Sequence, residues 1–244
     1  MNSWTITSKG AVRQQNQDAC FAECDPERNM ALLLVCDGMG GALAGNVASN
    51  KALEAFVEYL KREDENSNGR FNMVITIENA ITAANESVFN HSNTCPECKG
   101  MGTTMVGALI MDDRTAVFNV GDSRAYHIRP RSIKKITVDH SIVEELVLRG
   151  DITREQAARH PGRNLITRAI GTEADVECDI FFPNIRHGDY LLLCSDGLSN
   201  IVTEKEIMDE VIKGGAPDDC CRRLLDIAMQ RGAPDNVTVV LFRK

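Results

Sequence analysis

Two stretches of the chain share one design: Ala31-Leu-Leu-Leu-Val-Cys-Asp37-Gly38 and Tyr190-Leu-Leu-Leu-Cys-Ser-Asp196-Gly197. Each is an apolar run that reads as a buried strand and ends in a carboxylate followed by glycine. A shorter echo is Ala116-Val-Phe-Asn-Val-Gly-Asp122, and a reversed one is Asp235-Asn236, which precedes an apolar run. Strand ends are rigid, so carboxylates there keep fixed positions, as a hard-cation site requires. A single Asp-Gly after a strand is an ordinary turn signal. The recurrence carries the inference, because clustered anions repel unless a cation neutralises them.

Oxygen-only ligands select Mg²⁺ or Mn²⁺ over zinc. Two such ions about 3.5–4 Å apart, sharing one aspartate, can lower the pKa of a water held between them toward neutrality. The hydroxide so formed attacks a phosphoryl group in line, without a phosphoenzyme. Something must also grip the phosphate oxygens. Arg13, in Gly10-Ala-Val-Arg13-Gln-Gln-Asn16-Gln17-Asp18, is the candidate, since guanidinium offers a planar, permanently charged fork. A lone arginine near a strand is otherwise a solvated surface charge. The glycines of Gly38-Met-Gly40-Gly41 lack the Lys-Ser/Thr of a P-loop and the spacing of a dinucleotide fingerprint, so they read as a tight turn beside Asp37. The histidines at 91, 127, 140, 160 and 187 form no metal-binding grouping in sequence; His140 and His160 are kept as weak proton-transfer candidates.

The remaining composition narrows the class. At 244 residues and 43% hydrophobic content the chain can bury a full core, with aliphatic side chains carrying the packing because aromatics are only 5%. A net charge of −8 argues against nucleic-acid or anionic-membrane surfaces, and hence against a two-metal nuclease. No apolar run approaches the ~20 residues of a membrane span, and the first residues lack a secretory pattern. Nine cysteines, an odd number with several inside apolar runs, fit a reducing, cytoplasmic setting. Cys95-Pro-Glu-Cys98 is the one CxxC. Without a second pair at finger-like spacing it reads as structural or incidental, with half a zinc site or a redox pair left open.

The elements that must position these residues follow from periodicity. Strands are expected at Trp4–Thr7 and Ala31–Cys36, then a helix through Leu53, Phe56, Val57 and Leu60, and a solvated loop at Arg62–Gly69. A second helix covers Phe71–Phe89. Thr104–Met111, Thr115–Val120, Ala125–Ile128 and Ser132–Thr137 read as an antiparallel meander. Ser141-x-x-Glu144 and Thr203-x-x-Glu206 are capping boxes opening helices to about Leu148 and Ile212, and a last helix spans Asp218–Gln230. This order is not strict βαβ alternation. It predicts an α+β, four-layer α-β-β-α sandwich, with two packed antiparallel sheets flanked by helix pairs.

Arg13-x-x-Asn16-x-Asp18, Asp37-Gly-Met-Gly-Gly41, Gly102-Thr-Thr104, Gly121-Asp122-Ser-Arg124, Cys194-Ser-Asp196-Gly197 and Asp235-Asn236 occur in that order. With Asp139-His140-Ser141 and the stretch His160–Gly171, the chain resembles the type 2C metal-dependent protein phosphatases, most of all their compact bacterial branch. The resemblance covers Ser8 to Leu241 and implies one catalytic domain over 1–244. It further implies two Mg²⁺ or Mn²⁺ ions, with a third, looser one, in a cleft at one end of the sandwich. Carried over, Asp37 bridges both core ions, Asp196 and Asp235 complete the first, the Gly38 carbonyl binds the second, and Asp18 holds the second mostly through water. Asp122 helps bind the third ion, Arg13 binds phosphate, and Arg159–Gly171 belongs to a mobile flap.

The implied partners are phosphoserine and phosphothreonine proteins, substrates of a cognate kinase in signal transduction; a monomer is expected. Four positions depart from the pattern. Gln17 stands where many relatives have Glu, Met39 where eukaryotic members have His, and Ala42 and Asn46 where many bacterial members have His and Glu. The missing histidines motivate an alternative, a catalytically weak metal-binding module that recognises phosphoproteins.

Overall fold

The computed structural model describes residues 1–41, 44–67, 72–213 and 216–244. Two antiparallel sheets pack face to face. One contains β1 (Asn2–Ser8), β7 (Arg124–Arg129), β8 (Ser132–Lys135), β10 (Tyr190–Cys194) and β11 (Val237–Arg243), ordered β1-β11-β10-β7-β8. The other contains β2 (Asp18–Asp25), β3 (Met30–Met39), β5 (Met105–Met111), β6 (Arg114–Val120) and β9 (Asp179–Phe181), ordered β2-β3-β5-β6-β9, with the short β4 (Gly102–Thr103) paired to the end of β3.

Helices cover both outer faces. α1 (Ala44–Ser67) and α2 (Met73–Thr94) share an apolar core with the β3 sheet, and α6 (Glu204–Ile212) and α7 (Pro217–Gln230) share another with the β11 sheet. Between β8 and β9 lie α3 (Ile142–Arg149) and α4 (Arg154–Ala157), and α5 (Asp196–Ser199) follows β10 directly. The four-layer sandwich expected from the element order is the fold observed.

The central strands are buried on both faces, which explains their unbroken apolar runs in an antiparallel setting. In β3, Leu33 and Val35 enter the core between the sheets, while Leu32, Leu34 and Cys36 face the helices. β10 divides likewise into Leu191 and Leu193 against Leu192 and Cys194, and β11 into Val240 and Phe242 against Val239 and Leu241. Continuing each period of two to the strand end puts Asp37, Ser195 and Thr238 on the inter-sheet side. One edge of the sandwich is therefore lined by polar residues from both sheets.

Several expectations change. The strand β2 is absent from the periodicity reading because its inward residues, Asp18 and Cys20, are polar or small while Phe21 is only half-buried. Residues 62–67, expected as loop, continue α1, since their charged side chains need only a solvated helix face. Residues 68–71, including Phe71 where the second helix was expected to begin, lie outside the described residues, as does Ala42. The four-strand meander is two hairpins in different sheets: β5–β6 in one, β7–β8 in the other, with the chain crossing at Gly121-Asp122-Ser123. Finally, neither Asp-Gly is a turn. Asp37-Gly38 lies within β3, and Asp196-Gly197 is the first turn of α5, with Ser195 at its N-cap.

Candidate metal centre

Asp18 and Asp37 are direct partners in the β2–β3 ladder. Like charges opposite one another in a sheet destabilise it, so the register itself places an unfavourable pair at the strand ends. The β11 sheet adds Asp196, two residues after the end of β10, and Asp235, two residues before the start of β11. Asp122 comes from the crossing between the sheets. Arg13, Asp37, Gly38, Asp122, Asp196 and Asp235 line one cleft of about 640 Å³. Asp18 sits beneath it, 7% exposed.

The glycine after each strand-end aspartate is required by close backbone approach. A Cβ on Gly38 would lie 2.0 Å from the Gly45 carbonyl oxygen, and one on Gly197 would lie 1.9 Å from that of Asn236. The first contact brings the start of α1 against β3, and the second brings α5 against the segment entering β11. In both motifs the glycine lets a second chain segment crowd the carboxylate.

Hydroxyls that the sequence reading passed over hold these carboxylates in place. Asp18 Oδ2 accepts hydrogen bonds from Ser195 Oγ at 2.8 Å and Thr238 Oγ1 at 2.6 Å, so residues of one sheet clamp the carboxylate of the other. Because Thr238 spends its proton on Asp18, Thr7 Oγ1, 2.7 Å away, donates to Thr238 and in turn accepts from Asn16 Nδ2. Thr104 Oγ1 accepts from the Asp37 N–H at 3.0 Å, and Thr103 Oγ1 donates to the Asp37 carbonyl at 2.9 Å. The Asn236 side chain ties the N-terminal loop down, accepting from Gln17 N–H and donating to the Lys9 and Gln15 carbonyls. The signal for these was present: Ser195 and Thr238 are hydroxyl residues in phase with inward strand positions.

With Oδ2 doubly engaged, Asp18 Oδ1 is buried and makes no hydrogen bond among the described residues. An unsatisfied buried carboxylate oxygen is expensive. The electrostatics are equally unfavourable. Burial pushes Asp18 up to about 6, against the pull of Thr238 and Ser195, and pushes Asp122 up to about 7, aided by the charges of Asp196 and Asp139. Burial first, then Asp18, Asp196, Asp122 and Asp235, raises Asp37 well above the carboxylate range. Asp196 is raised by burial and Asp235. Clustered oxygen donors with one left unpartnered fit hard divalent cations.

Arg13 Nη2 donates to Asp235 Oδ2 at 2.7 Å, and the Arg13 side chain is half exposed. One N–H is used there and four remain. The histidines behave differently. None of the five lines the cleft. His140 is buried, its Nδ1 accepts the Gly121 N–H at 3.0 Å, and its Nε2 therefore carries the proton toward Asp179, 3.3 Å away. His160 Nδ1 accepts from Gly162 N–H. Both histidines brace loops. Gln17, one of the departures, donates from Nε2 to the Gly41 carbonyl at 2.5 Å and so braces the glycine segment.

The same architecture occurs in known proteins. A family model for protein phosphatase 2C matches residues 7–217. The serine/threonine phosphatase stp of Listeria monocytogenes serotype 4b (strain F2365) is 34% identical over 241 residues, covering 98% of this chain and 94% of that protein. The structure of the S. agalactiae serine/threonine phosphatase superposes with a TM-score of 0.90 at 31% identity, covering 100% of this chain and 99% of that one. The catalytic domain of the serine/threonine phosphatase PstP in complex with two manganese ions superposes at 0.85 and 32% identity, over 98% and 96%. Matched in sequence along most of its length and in fold along nearly all of it, the chain belongs to the protein phosphatase 2C family.

Proposed function

We infer that this protein hydrolyses phosphoserine and phosphothreonine esters on proteins, using two Mg²⁺ or Mn²⁺ ions. The observation that carries the reading is the convergence of Asp18, Asp37, Asp122, Asp196 and Asp235 at one sandwich edge with a buried carboxylate oxygen left unpartnered. Asp37 would serve both ions, Asp196 and Asp235 the first, and the Gly38 carbonyl and Asp18 the second, with Asp122 serving a third. Bound there, hard divalent cations supply an activated water and neutralise charge on the phosphoryl group.

The chain's own residues do the rest. Arg13, steered by Asp235, presents its remaining N–H groups to the phosphate. Thr103 and Thr104 fix the Asp37 backbone, and Ser195 and Thr238 orient Asp18 so that Oδ1 faces away from them. Water adds to phosphorus, the P–O bond to serine or threonine breaks, and the departing oxygen takes its proton from water, since no histidine lines the cleft. The alternative, a catalytically weak metal-binding module, is motivated by the missing histidines; relatives that are serine/threonine phosphatases favour turnover instead, and the assay below separates the two.

We further propose that residues 1–244 act as one catalytic domain, as a monomer in a bacterial cytoplasm, on substrates of a cognate serine/threonine kinase in signal transduction. Nine unpaired cysteines support a reducing compartment. Among the described residues no helix is long and apolar enough to cross a membrane. The test is Mn²⁺-dependent release of phosphate from a phosphothreonine peptide and from p-nitrophenyl phosphate. Turnover that Asp37→Asn reduces to background supports the reading; turnover equal in the two proteins contradicts it.

A further inference from the structure

The CxxC at 95–98, unassigned by the phosphatase chemistry, does not stand alone. His91, Cys95 and Cys98 present ligand atoms that all lie within 4.8 Å of one another. Three local features bring them together. His91 is in the last turn of α2 and Cys95 is its C-cap, with Cys95 N–H donating to the His91 carbonyl at 2.9 Å. An i, i+4 pair sits one turn apart on the same side of a helix. Pro96–Cys98 then forms a single 3₁₀ turn, in which residues three apart eclipse, so Cys98 comes round onto Cys95.

The environment suits a metal. The His91 imidazole makes no hydrogen bond or ion pair among the described residues, and the two sulfurs lie within 4.8 Å of one another. Cys98 is 7% exposed, while His91 and Cys95 are half-buried, which leaves a path for an ion. Zn–S and Zn–N bonds near 2.3 and 2.0 Å put tetrahedral ligands about 3.5–3.8 Å apart. The present separations close to that by side-chain rotation of roughly 1 Å.

We propose that His91, Cys95 and Cys98 form a Zn²⁺ site, separate from the carboxylate centre, that pins the end of α2 to the segment entering β4. Two thiolates and a neutral imidazole select a borderline-soft ion over Mg²⁺ or Mn²⁺. Each ion displaces two thiol protons to solvent, and the resulting complex is neutral, so Lys51 of α1, near Cys98, does not oppose it. Water fills the fourth position. The anchored segment bears on catalysis: Met101 N–H donates to the Cys98 carbonyl, Met101 packs where a Cβ on Gly40 would lie 2.6 Å from its Cα, and β4 pairs with Gly38 and Met39.

The test uses the full chain, reduced, with Mg²⁺ in excess to occupy the carboxylates. Added Co²⁺ should give a thiolate-to-metal charge-transfer band in the near ultraviolet that saturates at one equivalent. Cys95→Ser/Cys98→Ser should abolish the band, and His91→Ala should weaken binding at least about tenfold, since even outer-shell partners contribute that much. Because those variants could fold poorly, the unmodified protein provides a second readout. Zn²⁺ should slow iodoacetamide alkylation at Cys95 and Cys98, read by peptide mass spectrometry, and leave the rate at Cys20 and Cys24 unchanged. A band that persists in the double serine variant, no protection at saturating Zn²⁺, or a Cys95–Cys98 disulfide that forms in air despite bound Zn²⁺ would overturn the site.

Discussion

Asp18 and Asp139 are buried alike, at 7% and 6% exposure, yet their surroundings are opposite. Arg124 reaches Asp139 through Nε and Nη2, the shorter contact 2.6 Å, and Lys135 Nζ adds another at 3.0 Å. Both Asp139 oxygens are satisfied by cations. Burial alone would raise its carboxyl, but the Arg124 charge and hydrogen bonds, with Lys135, outweigh it and hold Asp139 below its ordinary value. Asp18 meets only hydroxyls, is pushed up to about 6, and leaves one oxygen bare. A carboxylate built for the fold carries its counter-charges with it. Asp18 carries none among the described residues, which is what the proposed cation site requires.

The contrast breaks most easily at Asp139. Asp139→Asn should cost about 3–5 kcal/mol, because it leaves Arg124 and Lys135 without their partner in a poorly solvated site; urea unfolding at pH 7 measures it. The sign with pH is fixed by the lowered folded value. The stabilisation is present above the unfolded carboxylate pKa, about 3.9, and is lost as pH falls through the folded one. The gap between the two proteins should therefore be constant near neutrality and close below about pH 4. A gap that widens on acidification would mean Asp139 is not the stabilising partner.

Asp18→Asn should behave in the other direction. Without divalent ions its stability should lie within about 1 kcal/mol of the parent, or above it, since an amide oxygen still accepts from Ser195 and Thr238 while a repelled charge disappears. Mn²⁺ should raise the Tm of the parent by binding its folded state, and that rise should shrink in the variant. Equal Mn²⁺ shifts in both proteins would remove Asp18 from the site. Thr238→Val sharpens the same point from the hydroxyl side. It deletes one hydrogen bond to a buried carboxylate, which should cost roughly 1.5–3 kcal/mol, and it frees Asp18 to move, so Mn²⁺ should bind less tightly by titration calorimetry.

The smallest effect belongs to the histidines. General acids contribute about 10²–10⁴ in rate. His160→Ala should change kcat less than about twofold and leave the pH profile in place, because His160 braces Gly162 outside the cleft. A hundredfold loss with a displaced acidic limb would restore it as a proton donor.

Much of this arrangement was legible in the residues. Runs such as Ala31–Cys36 and Tyr190–Cys194 are apolar at every position because each strand is buried on both faces, so the abrupt aspartate after each stood out. Asp18 was legible only through its motif, since the strand it opens has no periodic apolar pattern. The crossing at Gly121-Asp122-Ser123 was hidden for a different reason. A turn between antiparallel strands and a step between stacked sheets use the same residue types, and only long-range pairing separates them. The Ser195 and Thr238 clamp on Asp18 joins residues 177 and 220 positions apart, beyond any local signal. The His91–Cys98 cluster was half legible: the CxxC was visible, while the histidine counted only once α2 ran on past Phe89 to Thr94.

The central claim is that carboxylates from both sheets gather to hold adjacent cations. Anomalous scattering from crystals of the protein grown with Mn²⁺ tests it most directly. Two peaks within reach of Asp37, one shared with Asp196 and Asp235 and the other beside Gly38 and Asp18, are the predicted result. Peaks that avoid Asp37, or a cleft without manganese at saturating concentration, would contradict the account.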